Sequence, residues 1–546
     1  YSISMSYAVL DYASRNGDLL LYNIYRMGKN SIDKGNTDNW TLQPKMVDSL
    51  KRMVEKSQKS GSVAGGRSPR ISLNMYDSIF KDPSLRDARA FIIPADQADF
   101  PTAIKFINAL IKSGILVHQA KTDFTIGNKK YPAGSYVVKT NQAFRPHVID
   151  MFEPQDHPND FQYPGGPPIR PYDAAGWTLA YQMGVEVDRV LDEINTSLQP
   201  VGYGVLQSPV KKILAKADGY LLSSAINNSF IAVNDLLKAG VEVFRTTGNV
   251  EGMPTGSFYV SSKGFSVLNN AGADLGINPK SMNKQPAGLV KITPARIALY
   301  DQYGGSMPSG WVRWIMEQFH FPFQLIYPKD IDAGKLNNKY DAILFISGGI
   351  PSFGRNIPER EVKTEGIPKE FQHMLGSITI EKSVPQLKLF MENGGNVITV
   401  GSSTALAYHL GLPIKNAITE INDEGNEVAL AGTKYYIPGS ILRAEINTSE
   451  PANWGMKPEA NMVFNNSPVF NLTAQSVSAG IKPLAWYGHD APLKSGWAWG
   501  QSYIKDGVAA FVAPVGKGKL YAYGSEITFR AQAHNTFKML FNQLYR

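Results

Sequence analysis

The sequence predicts an α/β fold: two duplicated βαβ-plus-hairpin units followed by a doubly wound open sheet. Three observations carry this. A strand–helix–strand–turn–strand pattern occurs twice between about residues 88 and 277. The last third alternates apolar strands with amphipathic helices. The composition is that of a globular chain, with 43% apolar and 19% charged residues among 546.

Taken in order, residues 1–30 place Ile3, Tyr7, Leu10 and Ala13, then Leu19, Leu20 and Ile24, at helical spacing. They predict two helices parted near Asn16-Gly17-Asp18. A further helix over 43–58 has Pro44 in its first turn. The stretch Ser60 to Pro69 is a linker by composition.

Unit one then offers strand Phe91–Ile93, helix Ala103–Lys112 closed by Ser113-Gly114, strand Ile115–Val117, and Pro132-Ala133-Gly134-Ser135-Tyr136-Val137-Val138. Unit two repeats the order with Tyr220–Leu222, helix Phe230–Lys238 closed by Ala239-Gly240, Val241–Val243, and Pro254-Thr255-Gly256-Ser257-Phe258-Tyr259-Val260. Glycine just past a helix ends it in the left-handed conformation. Strand, helix and strand in this order predict a right-handed βαβ crossover. The Pro-x-Gly-Ser-aromatic runs read as turns into hairpin strands. Between the units, residues 163–173 are too rich in proline for regular structure, and Trp177–Met183 reads as a short helix.

From about residue 295, strands Arg296–Tyr300, Phe323–Ile326, Asp341–Ile346 and Asn396–Val400 alternate with helices Trp311–Phe319 and 384–392. This is the pattern of a doubly wound sheet, which binds ligands at the carboxyl ends of its strands. The glycines there, Gly304, Gly305, Gly348, Gly349 and Gly401, line a candidate pocket. None belongs to a GxGxxG or P-loop pattern, and tight turns also account for them. The domains expected are 1–65, a helical segment; 66–200, unit one; 201–290, unit two; and 291–546, the open sheet.

Charge and composition exclude several functions. The net charge of +8 is mild for this length, and its basic clusters, Lys51-Arg52 with Lys56 and Lys59, and Lys211-Lys212 with Lys216, lack interleaved aromatics. They read as solvated helix faces, with no nucleic-acid partner. No apolar run reaches the length of a membrane span. Cysteine is absent, which excludes a thiol nucleophile, a thiolate metal ligand and any disulfide.

None of the eight histidines is followed three residues on by Glu, the spacing with which His-x-x-Glu sites hold zinc. His147-Val148-Ile149-Asp150, on a predicted strand, has its two polar residues on opposite faces. His157-Pro158-Asn159-Asp160 falls in a loop. No metal site is expected. The carboxylates Asp96 with Asp99, and Asp490 with Glu526, are expected to serve at the surface.

The run Thr399-Val400-Gly401-Ser402-Ser403-Thr404 resembles the nucleophile elbow of class I glutamine amidotransferases, with serine where the thiol would be. Ser402 or Ser403 needs a base to act as nucleophile. His409, about one and a half turns along the next helix, points along that helix. The expectation is a degenerate elbow, with a cryptic serine hydrolase at Ser402 or Ser403 as an alternative.

Several stretches together resemble the bacterial zinc carboxypeptidase-like proteins: Phe91–Gln97, Tyr131–Val138, Phe144-Arg145-Pro146, Tyr163–Asp173 with Gly176–Leu179, Ser495–Gly500 and Gly524–Gln532. In that family the zinc ligands and catalytic Glu belong to an N-terminal peptidase domain. Residues 1–30 resemble the helices that end that domain. The resemblance therefore implies a non-catalytic C-terminal accessory region of a secreted or periplasmic metallocarboxypeptidase-like protein that removes C-terminal residues. No cofactor is expected in this chain, with zinc in the preceding domain. The partners implied are that peptidase domain and, as a second, peptide. A stand-alone peptide- or glycan-binding module is the other reading. An exposed apolar face on residues 1–30 would favour the accessory region.

Overall fold

The computed structural model describes residues 1–59, 72–209, 214–354 and 364–546. The expected linker 60–69 and the Lys211-Lys212 pair lie outside the described residues. Packing divides the chain into two compact units. One comprises Tyr1–Gln97, Lys105–Pro158 and Glu186–Gln207; the other comprises Ala98–Ile104, Asn159–Val185 and Ser208–Arg546.

The chain opens with helices α1 (Ser2–Arg15) and α2 (Gly17–Gly35), parted at Asn16. Helix α3 follows over Pro44–Lys59. The first unit then forms a five-stranded sheet from β1 (Ala90–Ile93), β2 (His118–Ala120), β3 (Tyr136–Lys139), β4 (Asp188–Val190) and β5 (Leu198–Pro200), in the order β4-β1-β3-β2-β5. The second unit holds β6 (Gly219–Leu222), β7 (Val243–Thr246), β8 (Phe258–Ser261), β9 (Lys280–Met282) and β10 (Leu289–Ile292), in the order β9-β6-β8-β7-β10. The two sheets thus share one order of strands.

The Pro-x-Gly-Ser turns match bond for bond. Gly134 (φ +90°) and Gly256 (φ +81°) take the left-handed conformation. Their amides donate to the carbonyls of Ala120 and Thr246, the last residues of β2 and β7. The Ser135 hydroxyl donates to the Pro132 carbonyl at 2.8 Å and accepts from the Ala95 amide at 3.1 Å. The Ser257 hydroxyl donates to Pro254 at 2.6 Å and accepts from the Ser224 amide at 3.3 Å. In each unit this serine ties the turn to the loop after the first strand.

Three expectations are corrected. The first and second strands of each unit are not neighbours: β3 lies between β1 and β2, and β8 between β6 and β7, antiparallel to both. The crossover is therefore split, with the hairpin strand inserted into it. The second strands begin at His118 and Val243, after the positions predicted, because the residues following Gly114 and Gly240 still close the helix ends: the amides of Ile115 and Val241 bond to Leu110 and Leu236. Residues His147 to Asp150, read as lying on a strand, fall within a helix, Arg145–Phe152, with Pro146 in its first turn. Phe152 stacks on Phe91 at 4.4 Å and meets Phe106 edge-on at 5.1 Å, so the helix covers the sheet.

The large sheet contains five parallel strands: β11 (Ile297–Tyr300), β12 (Phe323–Ile326), β13 (Ala342–Phe345), β14 (Asn396–Val400) and β15 (Gly518–Tyr523). Their spatial order, β12-β11-β13-β14-β15, is 2-1-3-4-5 in chain order, that of flavodoxin-like doubly wound sheets. Antiparallel strands from the segment between β14 and β15 extend the far edge, beginning with Val508–Val515 beside β15.

Alternate residues face two cores, as strands covered on both sides require. Ile297, Leu299 and Leu344 pack with Val312, Ile315 and Met316 of helix Met307–Gln318. Ala298, Ile343 and Phe345 pack with Leu387, Phe390 and Met391 of helix Ser383–Glu392. The first of these cores continues into Tyr220, Leu222, Phe230 and Phe258 of the second five-stranded sheet, across the boundary expected near residue 290.

Candidate functional site

The carboxyl ends of β13, β14 and β15 meet at one polar cluster in the second unit. Strand β14 runs into a 3-10 turn, Gly401–Ala405, then a single helical turn, Leu406–His409. Gly401 has φ +59°. A Cβ there would lie 1.9 Å from Ser347 Oγ and 2.5 Å from Glu526 Oε1. Only glycine fits between these groups.

The Ser347 hydroxyl, just past β13, donates to Glu526 Oε1 at 2.6 Å and accepts from the Ser402 amide at 3.3 Å. The Ser402 hydroxyl accepts from the Gly348 amide at 2.8 Å. Ser403 is buried; its hydroxyl donates to the Ile346 carbonyl at 2.5 Å and accepts from the amides of Gly349 and Ile350. His409 Nε2 lies 2.8 Å from the Pro351 carbonyl oxygen, so this nitrogen is engaged away from both serines. The elbow serines thus cross-link strand ends, and among the described residues their hydroxyls are paired with backbone groups.

Glu526, just past β15, is partly buried. Burial raises its carboxyl above the ordinary value, and the Ser347 hydrogen bond partly offsets this. The expectation of a surface carboxylate is corrected here: Asp490 is exposed, whereas Glu526 lies at the heart of the cluster. Sequence reasoning missed Ser347 and Glu526 as site residues. The available signal was position, since each follows a buried strand at the carboxyl edge of the same sheet.

The predicted glycines divide. Gly348 and Gly349 contribute amides to the cluster, and Gly401 makes room for it. Gly304 and Gly305 form a turn after β11 with open space at both Cβ positions.

A cavity of about 770 Å³ opens beside the elbow, lined by Ser402, Thr404, Tyr408, Asn416 and Asn466 among others. Asn466 also lines a second, polar cleft of about 100 Å³, with Arg170, Asp173, Tyr436 and Arg530. Arg530 holds Asp173 by two hydrogen bonds, 2.9 and 2.6 Å, and keeps that carboxyl below the usual range. Two of the cleft's non-glycine lining residues have left-handed backbone, Asn466 (φ +47°) and Arg530 (φ +47°), as does Ala531 (φ +54°) next to Arg530 in the chain. Such strain costs on the order of 1–3 kcal/mol per residue and gathers at functional sites.

His147 shares a helix face with Asp150, three residues on, rather than facing away from it. His147 Nε2 lies 3.0 Å from the Ser113 hydroxyl, and His157 Nδ1 lies 2.8 Å from the Pro158 carbonyl oxygen. Among the described residues, no three His, Asp or Glu side chains come together to hold a metal ion. No described helix is long and apolar enough to cross a membrane.

No family model matches this chain, and no curated protein matches it. Solved structures similar in part include a beta-galactosidase from Bacillus circulans sp. alkalophilus, at 11% identity over 45% of this chain and 30% of that one, TM-score 0.26. A putative GMP synthase component from Thermoplasma acidophilum is 10% identical over 46% of this chain and 94% of that one, TM-score 0.27. PurLQS from Thermotoga maritima is 12% identical over 46% and 99%, TM-score 0.27. The match spans about a third of the length of the beta-galactosidases. TM-scores this low carry no weight for fold or function, and the architecture rests on the strand order itself.

Proposed function

We propose that this chain is a non-catalytic accessory region of a secreted or periplasmic zinc carboxypeptidase-like protein, docked to the peptidase domain through α1 and α2. The observation that carries the reading is the exposure of these helices. No side chain of α1 is buried. Ile3, Met5, Tyr7, Val9, Leu10 and Tyr12 are each at least 60% exposed, and Leu19, Leu21, Tyr22, Ile24, Tyr25 and Met27 at least 53%. Contiguous apolar surface of this kind marks an interaction site. Covering each such side chain is worth roughly 1.5–3 kcal/mol. The partner is the domain that the family resemblance puts before these helices, and zinc belongs there. The C-terminal sheet is read as glutamine amidotransferase-like, its elbow kept for architecture. The two five-stranded units are read as a duplication, and their Cα traces are expected to superpose strand for strand.

The test is association with the purified zinc-loaded peptidase domain of the same protein. Co-elution is expected, and is expected to be lost with Leu10→Asp plus Ile24→Asp. Failure of the unaltered chain to associate sinks the reading.

A further inference from the structure

The polar cleft has the composition of an anion site. Its lining carries two guanidiniums, Arg170 and Arg530, against one carboxylate, Asp173. Both terminal nitrogens of Arg530 are taken up by Asp173. Arg170 is therefore the surplus positive charge. It is exposed and carried on the proline-rich loop, where Pro171 restricts the backbone. Guanidinium presents a planar fork of donors that matches a carboxylate. Asn466 and Tyr436 stand on the same lining and bring a side-chain amide and a hydroxyl, both able to donate. The volume, about 100 Å³, suits a small group rather than a whole ligand.

The body of the ligand has a place to go. Asn466 is common to the cleft and to the cavity of about 770 Å³, so the two adjoin. A cavity of that size lies in the range that takes a drug-sized molecule. It is lined by a mixture of hydroxyls, amides and apolar groups, with Lys415 and Glu427 balancing in charge. A neutral chain ending in one negative group fits this division.

We propose that Arg170, Tyr436 and Asn466 bind the terminal carboxylate of a peptide whose preceding residues occupy the adjoining cavity. The Arg530–Asp173 pair anchors the loop that carries Arg170. The inference does not rest on docking through α1 and α2, neither of which contributes a lining residue.

The experiment is calorimetric titration of the full chain with three probes: acetyl-tetra-alanine with a free carboxylate, the same peptide as its C-terminal amide, and sodium acetate. The free-acid peptide is expected to bind at least about tenfold more tightly than the amide, roughly 1.4 kcal/mol. Arg170→Gln is expected to remove that preference. Asn466→Gly, which tolerates the left-handed backbone and lacks the amide, is expected to weaken the acid peptide alone; circular dichroism checks that both variants are folded. Equal binding of acid and amide overturns the proposal, as does an Arg170→Gln chain that binds like the original, or no peptide binding at all. Binding of acetate without the peptide overturns the peptide assignment and leaves a site for free organic acids.

Discussion

Gly401 and Glu526 show how single residues constrain the site. Any side chain at Gly401 would collide with Ser347 and Glu526, at a φ of +59° that disfavours L-residues. Gly401→Ala is expected to destabilise the second unit by about 2–5 kcal/mol, combining left-handed strain with overpacking. Thermal denaturation followed by circular dichroism measures this. Glu526 makes a prediction about pH. Burial raises its carboxyl in the folded state, so the folded chain holds this proton more tightly than the unfolded one. The stability so gained is complete below the unfolded pKa and is lost as pH rises through the folded pKa. Glu526→Gln keeps an acceptor for Ser347 and removes the titration. The variant is expected to melt above the original chain near about pH 8 and level with it near about pH 4, each pKa unit of elevation being worth about 1.4 kcal/mol. Parallel melting curves at both pH values would show that Glu526 does not titrate differently on folding.

At the scale of elements, the glycine-capped helices of the two repeats were legible and the strand pairing was not. Gly114 and Gly240 end their helices with φ of +86° and +75°, a conformation that glycine adopts without strain. The insertion of β3 between β1 and β2 was not legible, because apolar alternation fixes which face a residue occupies and says nothing of which strand lies beside it. Helix α1 carries the prediction at this scale. Its side chains bury nothing within the chain, so removing residues 2–15 is expected to leave the melting temperature unchanged. Binding of a hydrophobic dye such as ANS is expected to fall with the loss of exposed apolar surface. A lowered melting temperature would mean that α1 packs on the chain in solution.

For the larger unit as a whole, the second five-stranded sheet and the parallel sheet share a core at an aromatic cluster. Phe541, in helix Phe537–Phe541, lies 5.2 Å from Phe230, 4.6 Å from Phe319 and 5.1 Å from Phe321 between ring centroids. It therefore touches both the helix of the second repeat and the segment that leads into β12. Phe541→Ala is expected to cost about 3–5 kcal/mol. Both sheets of this unit are expected to lose stability together, read as one shifted transition by hydrogen exchange in β6 and β13. Loss of protection in β6 alone would mean that the two sheets unfold independently.

The sequence by itself determined the α/β class, the glycine-capped ends of the two repeat helices, the parallel strands β11 to β14 and the absence of any thiol chemistry. These follow from local signals: periodicity, glycine caps, proline in a first turn and residue identity. Only the tertiary structure decided that Arg145–Phe152 is a helix, that Ser347 and Glu526 meet under the elbow, and that Arg170 and Arg530 line one cleft. Ser347 and Glu526 are 179 positions apart. Contacts at such separations depend on the order in which strands are laid beside one another, and no window of sequence carries that order.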